Sequence, residues 1–365
     1  MALACPYHGA MTKARIDAFP HFSTDVVSRE LGALADRADH QGPWAAGCMH
    51  ILARRGILAG FVPTDSGGTA ASEPAIIDTL VAIASSCLTT ALALSQWAAA
   101  VRIIATGTPD VRAALLPSLA CGDTFTTIGI SQLTTSRQHL RRPVLVASRD
   151  ADGWQLHGLC PWVTGADASD TIVTGATTAD GDQLFFVVRR DAPGLVIDPP
   201  LAMLALSGSR TAAVHFKAVR PAYVIEPPER NAARTGGLAT TALALGSARA
   251  AVGIVSDEAT RREDLVAVAA SLDTELAGLV ARLDSAARAG IALADRDALR
   301  GDATSLVLRA AQAGITASKG AGFVRGHPAE RIARESLFFL VWSCPQSVSS
   351  ALLCDWAGIA ADGQG

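Results

Sequence analysis

The residues in this chain best suited to holding a reactive group are Trp162 and Thr164, in the stretch Gly158-Leu159-Cys160-Pro161-Trp162-Val163-Thr164-Gly165-Ala166. A flat aromatic cofactor with polar edges needs an apolar or aromatic wall and a few hydrogen-bond donors aimed at its rim. The indole of Trp162 would supply the wall, and the hydroxyl or backbone N–H of Thr164 the donor. The plainer alternative is that Trp162 caps the core of a β sandwich and Thr164 pairs across strands. Other reactive side chains are isolated. Cys344 shows no helix N-terminus or cation in its own segment to lower its pKa and reads as a buried thiol. His157, His215 and His327 stand alone, so none is given a role.

Composition bounds what such a site can serve. The chain has 365 residues, half of them hydrophobic and 18% charged, which indicates a compact globular protein with more than one structural layer. Its 31 basic and 34 acidic residues leave a net charge of −3, and no basic cluster forms the footprint of a nucleic-acid partner. Cys5, Cys48, Cys87, Cys121, Cys160, Cys344 and Cys354 are widely spaced and form no CxxC pair, so free thiols in a reducing cytoplasm are expected. Arg102 and Asp110 interrupt the longest apolar stretch, so no membrane span is expected.

Three textures position the candidate site. Residues 1–122 read as an α-helical domain, with apolar residues three and four apart in Val26–Leu34, in Ala45–Leu58 and in one long helix from Pro74 to Thr106. Residues 123–232 change to short β-branched runs at Thr126–Ile130, Val144–Ala147, Trp154–His157, Thr171–Thr174, Leu184–Val188 and Ala213–Phe216. Turn signals at Asp152-Gly153 and Asp180-Gly181 separate them, which predicts an antiparallel barrel or sandwich. Residues 233–365 return to helical periodicity near Leu238–Arg262, Leu265–Ala289, Asp295–Ser318 and Pro328–Trp356, predicting a four-helix bundle. The fold class is therefore multidomain α+β, in the order α, β, α.

Five segments, in order along the chain, resemble the acyl-CoA dehydrogenase family. Gly158–Ala166 resembles Gly-Thr-Lys-x-Trp-Ile-Thr-Asn. Gly56–Gly68 resembles Gly-Leu-x-Gly-x-x-x-Pro-Glu-x-Tyr-Gly-Gly, and Leu116–Asp123 resembles Leu-Pro-x-Leu-x-x-Gly-Glu. Val214–Pro221 resembles the strand Val-x-Phe-x-x-Val-x-Val-Pro. Gly320–Glu335 resembles Gly-x-Gly-Tyr-x-Arg-x-x-Pro-x-Glu-Arg-x-x-Arg-Asp.

The resemblance implies FAD between the β domain and the bundle, with Trp162 and Thr164 facing the isoalloxazine. It also implies an arginine that reaches a neighbouring subunit's FAD. Arg262 matches that position, Arg261 lies one residue off register, and either also reads as a helix-surface arginine. A homodimer or homotetramer follows. Some segments depart from the family. The loop Gln-x-x-Gly-Gly-x-Gly is here Thr316-Ala317-Ser318-Lys319-Gly320-Ala321-Gly322, which places Lys319 and Gly320 at the cofactor's adenine end. The loop Thr-Glu-Pro-Gly-x-Gly-Ser, which frames flavin and thioester, reads Ser131-Gln132-Leu133-Thr134-Thr135-Ser136, with Ser131 as its contribution to the cofactor site.

The family's carboxylate base is missing from both of its usual places. Nine residues after Arg334 stands Ser343, and 26 residues before Arg262 stands Gly236. Glu335 matches the family's Asp after Arg and is read as structural. Three functions stay open: FAD-dependent oxidation of an acyl thioester or related small molecule, a monooxygenase of the same fold using reduced flavin and O2, and a non-catalytic subunit that keeps the fold.

Overall fold

The computed structural model describes residues 24–134, 143–226 and 237–359. Its N-terminal part is helical: α1 (Thr24–Gln41), α2 (Cys48–Arg54), α3 (Ile57–Gly60), α4 (Glu73–Ser86), α5 (Leu88–Ala105) and α6 (Pro109–Cys121). Helix α1 shows why. Val27, Leu31, Ala35 and Ala38 recur at helical spacing and are buried, while Arg29, Gly32, Ala33, Asp36 and Arg37 between them are exposed. Helix α6 starts at Pro109, with the Thr108 hydroxyl accepting from the Val111 N–H at 3.5 Å, and ends at the left-handed Gly122.

The single helix expected from Pro74 to Thr106 is two helices. The hydroxyls of Ser85 and Ser86 turn back onto the carbonyl of Ala82, and Cys87 is extended, with φ −156° and ψ 99°. Local side-chain bonds compete there with the helical ladder, a competition that apolar periodicity does not register.

The middle part is one eight-stranded sheet: β1 (Thr126–Gly129), β2 (Leu145–Asp150), β3 (Gly153–Val163), β4 (Thr171–Thr178), β5 (Gln183–Arg189), β6 (Leu195–Ile197), β7 (Ala212–Val219) and β8 (Tyr223–Ile225), with a four-residue helix α7 (Ser131–Thr134) after β1. The order is β6-β7-β3-β2-β4-β5-β8, and β1 pairs with β4. Hairpins at Asp150–Gly153 and between β4 and β5 follow the Asp-Gly signals. The sheet is mixed, which corrects the wholly antiparallel expectation: β1 and β2 both run parallel to β4. Pairing between strands distant in sequence leaves no turn signature to read.

The C-terminal part holds α8 (Leu238–Ala259), α9 (Val266–Ala289), α10 (Leu293–Ser318), α11 (Pro328–Ser336) and α12 (Gln346–Trp356). Helix α8 packs against α4, α9 and α10, joining the two helical parts in one core. The last helix expected, Pro328–Trp356, is broken. A 3₁₀ turn over Leu337–Leu340 is followed by Ser343 at φ +48° and by Pro345, which opens α12. Proline cannot donate to the helical ladder, and the residue before it is pushed out of the α region.

Helices α5 and α8 are long and apolar enough to cross a membrane by length and composition, contrary to the expectation of no such segment. Both belong to the core, with Trp97 of α5 and Leu243 of α8 wholly buried. Cys48, Cys87, Cys160, Cys344 and Cys354 are free thiols, whereas Cys121 is disulfide-bonded, which departs from the expectation of free thiols throughout.

Candidate functional site

Trp162 lies near the end of β3 and is 49% exposed, whereas Cys160 and Val163 beside it are fully buried. Strict alternation along a strand would put Cys160 and Trp162 on the same face. The pairing of β3 with β7 shifts register between Cys160 and Val163, and that irregularity turns the indole outward.

The turn after β3 is held from several sides. Thr164 is 8% exposed, its carbonyl accepts from the Thr127 hydroxyl at 2.6 Å, and its own hydroxyl lies 3.1 Å from that of Thr211. Thr211 in turn lies 2.8 Å from the Ser209 hydroxyl. Gly165 has φ +62°, and a Cβ there would come within 2.2 Å of the Trp44 indole, so only glycine lets that ring close over the turn. Its N–H donates to the carbonyl of Ser209 at 2.9 Å, and Arg210 forks onto Asp167. The result is an exposed aromatic wall beside a preorganised corner of hydroxyl and backbone groups.

Ser131 opens α7 at the same corner, with its Oγ 3.8 Å from the Cys160 Sγ. The Cys160 thiol is pushed up to about 11 by burial, so it stays protonated and inert at neutral pH. Ser131, Trp162 and Thr164 are thus brought together, while Thr135 and Ser136 of the same loop lie outside the described residues.

Arg262 and Lys319 form a second group, at the turn between α8 and α9 and the end of α10. The Arg262 guanidinium donates to the carbonyl of Ala317 at 3.0 Å and to Asp264 at 2.8 Å. Hydrogen bonding from Arg262, with a lesser push from the charge of Lys319, holds the Asp264 carboxyl below its usual range. Arg261 instead pairs with Glu258 on the surface. Lys319 caps α10 at φ +53° and ψ −145°, backbone territory that glycine tolerates and a side chain does not. Gly320 is exposed and faces open space.

In the sequence, neither base position carries a carboxylate. Ser343 sits half-buried in a turn, and Gly236 lies outside the described residues. Beneath the turn is a residue that no sequence motif singles out. Arg300 on α10 is wholly buried, and burial pulls its pKa down to about 10. The available signal was its phase: Arg300 shares the apolar face of α10 with Ala303, Thr304 and Val307.

A second buried group surrounds Glu335, read from the sequence as structural, which is 4% exposed and whose carboxyl burial pushes up to about 8. Arg331, 3.9 Å away and beyond hydrogen-bond reach, offsets this only in part. Beside it, Arg334 chelates Glu330 and reaches Asp39 of α1 at 3.4 Å and the carbonyl of Leu204 at 3.4 Å, tying three parts of the chain together. Among the histidines, His215 pairs with Asp198 at 2.9 Å and His327 caps α11 by accepting from the Ala329 N–H. Among the described residues, no group of three or more His, Cys, Asp and Glu side chains is arranged to hold a metal ion.

Comparison with known proteins agrees with this architecture. Residues 18–123 match the acyl-CoA dehydrogenase N-terminal domain. The probable acyl-CoA dehydrogenase YngJ of Bacillus subtilis (strain 168) is 24% identical over 246 residues, covering 62% of this chain and 64% of that protein. The 3-sulfinopropanoyl-CoA desulfinase of Paraburkholderia xenovorans (strain LB400) is 28% identical over 228 residues, covering 53% of this chain and 58% of that one. The chain thus spans less than two thirds of the length of these curated relatives. Among solved structures, a glutaryl-coenzyme A dehydrogenase in its glutaryl-CoA complex superposes with a TM-score of 0.78 at 17% identity, over 96% of this chain and 97% of that one. A nitrososynthase from Micromonospora carbonacea var. africana superposes with a TM-score of 0.74 at 21% identity, over 98% and 100%. The N-terminal domain is thus matched in sequence by the acyl-CoA dehydrogenase N-terminal domain, and the α, β, α architecture along nearly the whole chain is that of the acyl-CoA dehydrogenase fold.

Proposed function

We propose that this protein is an FAD-dependent oxidoreductase acting on an acyl thioester or a related small molecule. The observation that carries the reading is the exposed indole of Trp162 beside the fixed Thr164 turn, a wall and a set of donors suited to a flat polar-edged ring. Bound FAD would supply two-electron redox chemistry, either as hydride acceptor or, once reduced, towards O2. Trp162 would cover one face of the ring, the Thr164 turn would offer donors to its edge, and Ser131 would border it. Arg262 and Lys319 would offer cationic donors to the phosphate and adenine end, from one protomer to the next. A homodimer or homotetramer fits this arrangement, and self-association would cover the exposed Phe323, Val324, Leu337, Val341, Leu353 and Trp356.

One observation favours a second reading, a flavin-dependent monooxygenase of the same fold. Desaturation of a thioester needs a base for the Cα proton, and Ser343 has a hydroxyl that cannot accept it unaided at neutral pH. Oxygen chemistry has no such requirement. The Micromonospora nitrososynthase and KijD3, solved in complex with FMN and an amino-keto sugar nucleotide, share the fold at TM-scores of 0.74 and 0.73.

The test is the visible spectrum of the purified protein, with identification of any flavin released on denaturation. Released FAD supports the proposal. Bleaching by acyl-CoA without oxygen then selects thioester oxidation, and oxygen uptake only with a flavin reductase selects monooxygenation. A protein that stays colourless after FAD is added overturns the proposal and leaves the non-catalytic subunit.

A further inference from the structure

The Arg300 side chain is 0% exposed, yet its guanidinium meets backbone carbonyls rather than a carboxylate. One amino group donates to the carbonyl of Thr240 at 2.6 Å, in the first turn of α8. The other donates to the carbonyls of Phe339 and Trp342, both at 3.3 Å, in the turn that leads to Ser343. Its Cζ stands 5.4 Å from the centroid of the Phe339 ring, and its Nε is a buried donor without a partner. A buried cation satisfied this incompletely costs several kcal/mol relative to an apolar side chain of the same volume. A core seeking only packing would place leucine or methionine at this position.

The carbonyls it meets explain the geometry. A 3₁₀ turn ends with carbonyls that no following amide reaches, and after Leu337–Leu340 the chain passes through Ser343 at φ +48° instead of continuing as helix. The planar guanidinium, with its fixed fork of donors, bridges those carbonyls to α8 in a way that a single ammonium does not. The two stretches it joins are the ones that flank the two base positions, residues 236 and 343.

We propose that Arg300 is a positioning residue, clamping the Ser343 turn to the first turn of α8 and setting a fixed positive charge beneath it. The inference rests on the flavin reading only in treating this turn as part of the substrate end. The clamp itself is measured without substrate or flavin. Cys344 is the built-in reporter of the charge. Its thiol is half-buried and raised by burial, while Arg300 acts to lower it and Asp297, whose carboxylate accepts from Ser347 at 2.7 Å, to raise it.

The experiment compares wild type, Arg300→Met and Arg300→Lys, each also in a Cys354→Ser background. The readouts are amide exchange over residues 339–344, with α9 as internal control, and the pH midpoint of Cys344 alkylation by iodoacetamide. In Arg300→Met, exchange in the turn should quicken by about tenfold or more with α9 unchanged, and the midpoint should rise. Arg300→Lys should restore the midpoint while leaving exchange faster than wild type. Wild-type exchange in the turn of either variant overturns the clamp, and a midpoint in Arg300→Met that stays or falls overturns the charge placement. If Arg300→Met does not fold, Arg300→Lys alone decides the clamp. Flavin content is measured in parallel, so that loss of the flavin reading is seen separately.

Discussion

The hydroxyl of Thr127 on β1 donates to the carbonyl of Thr164 at 2.6 Å, and both residues are buried. This bond joins β1 to the turn after β3, across strands that are not neighbours in the main sheet order. Breaking it should blur the corner without unfolding the sheet. Thr127→Val removes the donor at nearly constant volume and should cost about 1–3 kcal/mol, the range for leaving a buried carbonyl unsatisfied. Chemical denaturation measures the cost, and flavin affinity in the same variant should fall. Unchanged affinity would separate this bond from the proposed site.

Replacing both Trp162 and Thr164 by alanine should abolish flavin retention while leaving the fold. Trp162 is half-exposed, so its loss removes little from the core, and Thr164 contributes one side-chain contact, to Thr211. Far-ultraviolet circular dichroism should match wild type while the visible flavin band disappears. A variant that binds flavin as well as wild type would remove the central claim.

Arg262→Gln and Arg261→Gln test which arginine serves the cofactor. The Arg262–Asp264 and Arg261–Glu258 pairs each have one largely exposed partner, Asp264 and Arg261, and water and salt screen such pairs enough that they add little to stability. Neither variant should therefore unfold. Arg262→Gln should weaken FAD binding by at least about tenfold, as expected for loss of a charge-assisted bond, and Arg261→Gln should not. Equilibrium dialysis with FAD distinguishes them, and the reverse order would move the register by one residue.

Lys319→Gly should stabilise the chain by about 1 kcal/mol, since a non-glycine residue in this backbone region carries strain of about 1–3 kcal/mol and glycine gives part of that back as unfolded-state entropy. A thermal melt measures it. If the variant also loses FAD affinity, the strained lysine is serving the cofactor's phosphates. If affinity is kept, the strain has no such use.

Glu335→Gln should remove a pH dependence of stability. The folded-state pKa of Glu335, about 8, lies above its ordinary 4.5, so between those values the native state binds more protons than the unfolded state. Its contribution is therefore most favourable below about pH 4.5, declines as pH rises, and is fully unfavourable above about 8. The glutamine variant should match wild type near pH 4.5 and exceed it by roughly 2 kcal/mol or more at pH 8, because each tenfold difference in proton affinity between the two states is worth about 1.4 kcal/mol. Parallel denaturation curves at the two pH values test this, and a constant gap between the proteins would contradict it.

The sequence alone determined the kinds of element and their order. Apolar spacing of three and four in Val27–Ala38 and the β-branched runs around the Asp-Gly turns are local signals, and local signals survive without coordinates. It also singled out Trp162 and Thr164 as candidates, through the resemblance of Gly158–Ala166 to a motif of the acyl-CoA dehydrogenase family. Only the tertiary structure decided what depends on distant neighbours. Thr127 on β1 and Thr211 just before β7, both far along the chain from Thr164, fix it in place, a register shift against β7 turns Trp162 outward, and β1 and β2 run parallel to β4. Arg300 looked like an ordinary charged helix residue and Glu335 like a structural acid, and only burial made one a clamp and the other a raised carboxyl. Burial and desolvation are sums over side chains brought from every part of the chain, so no window of sequence contains them.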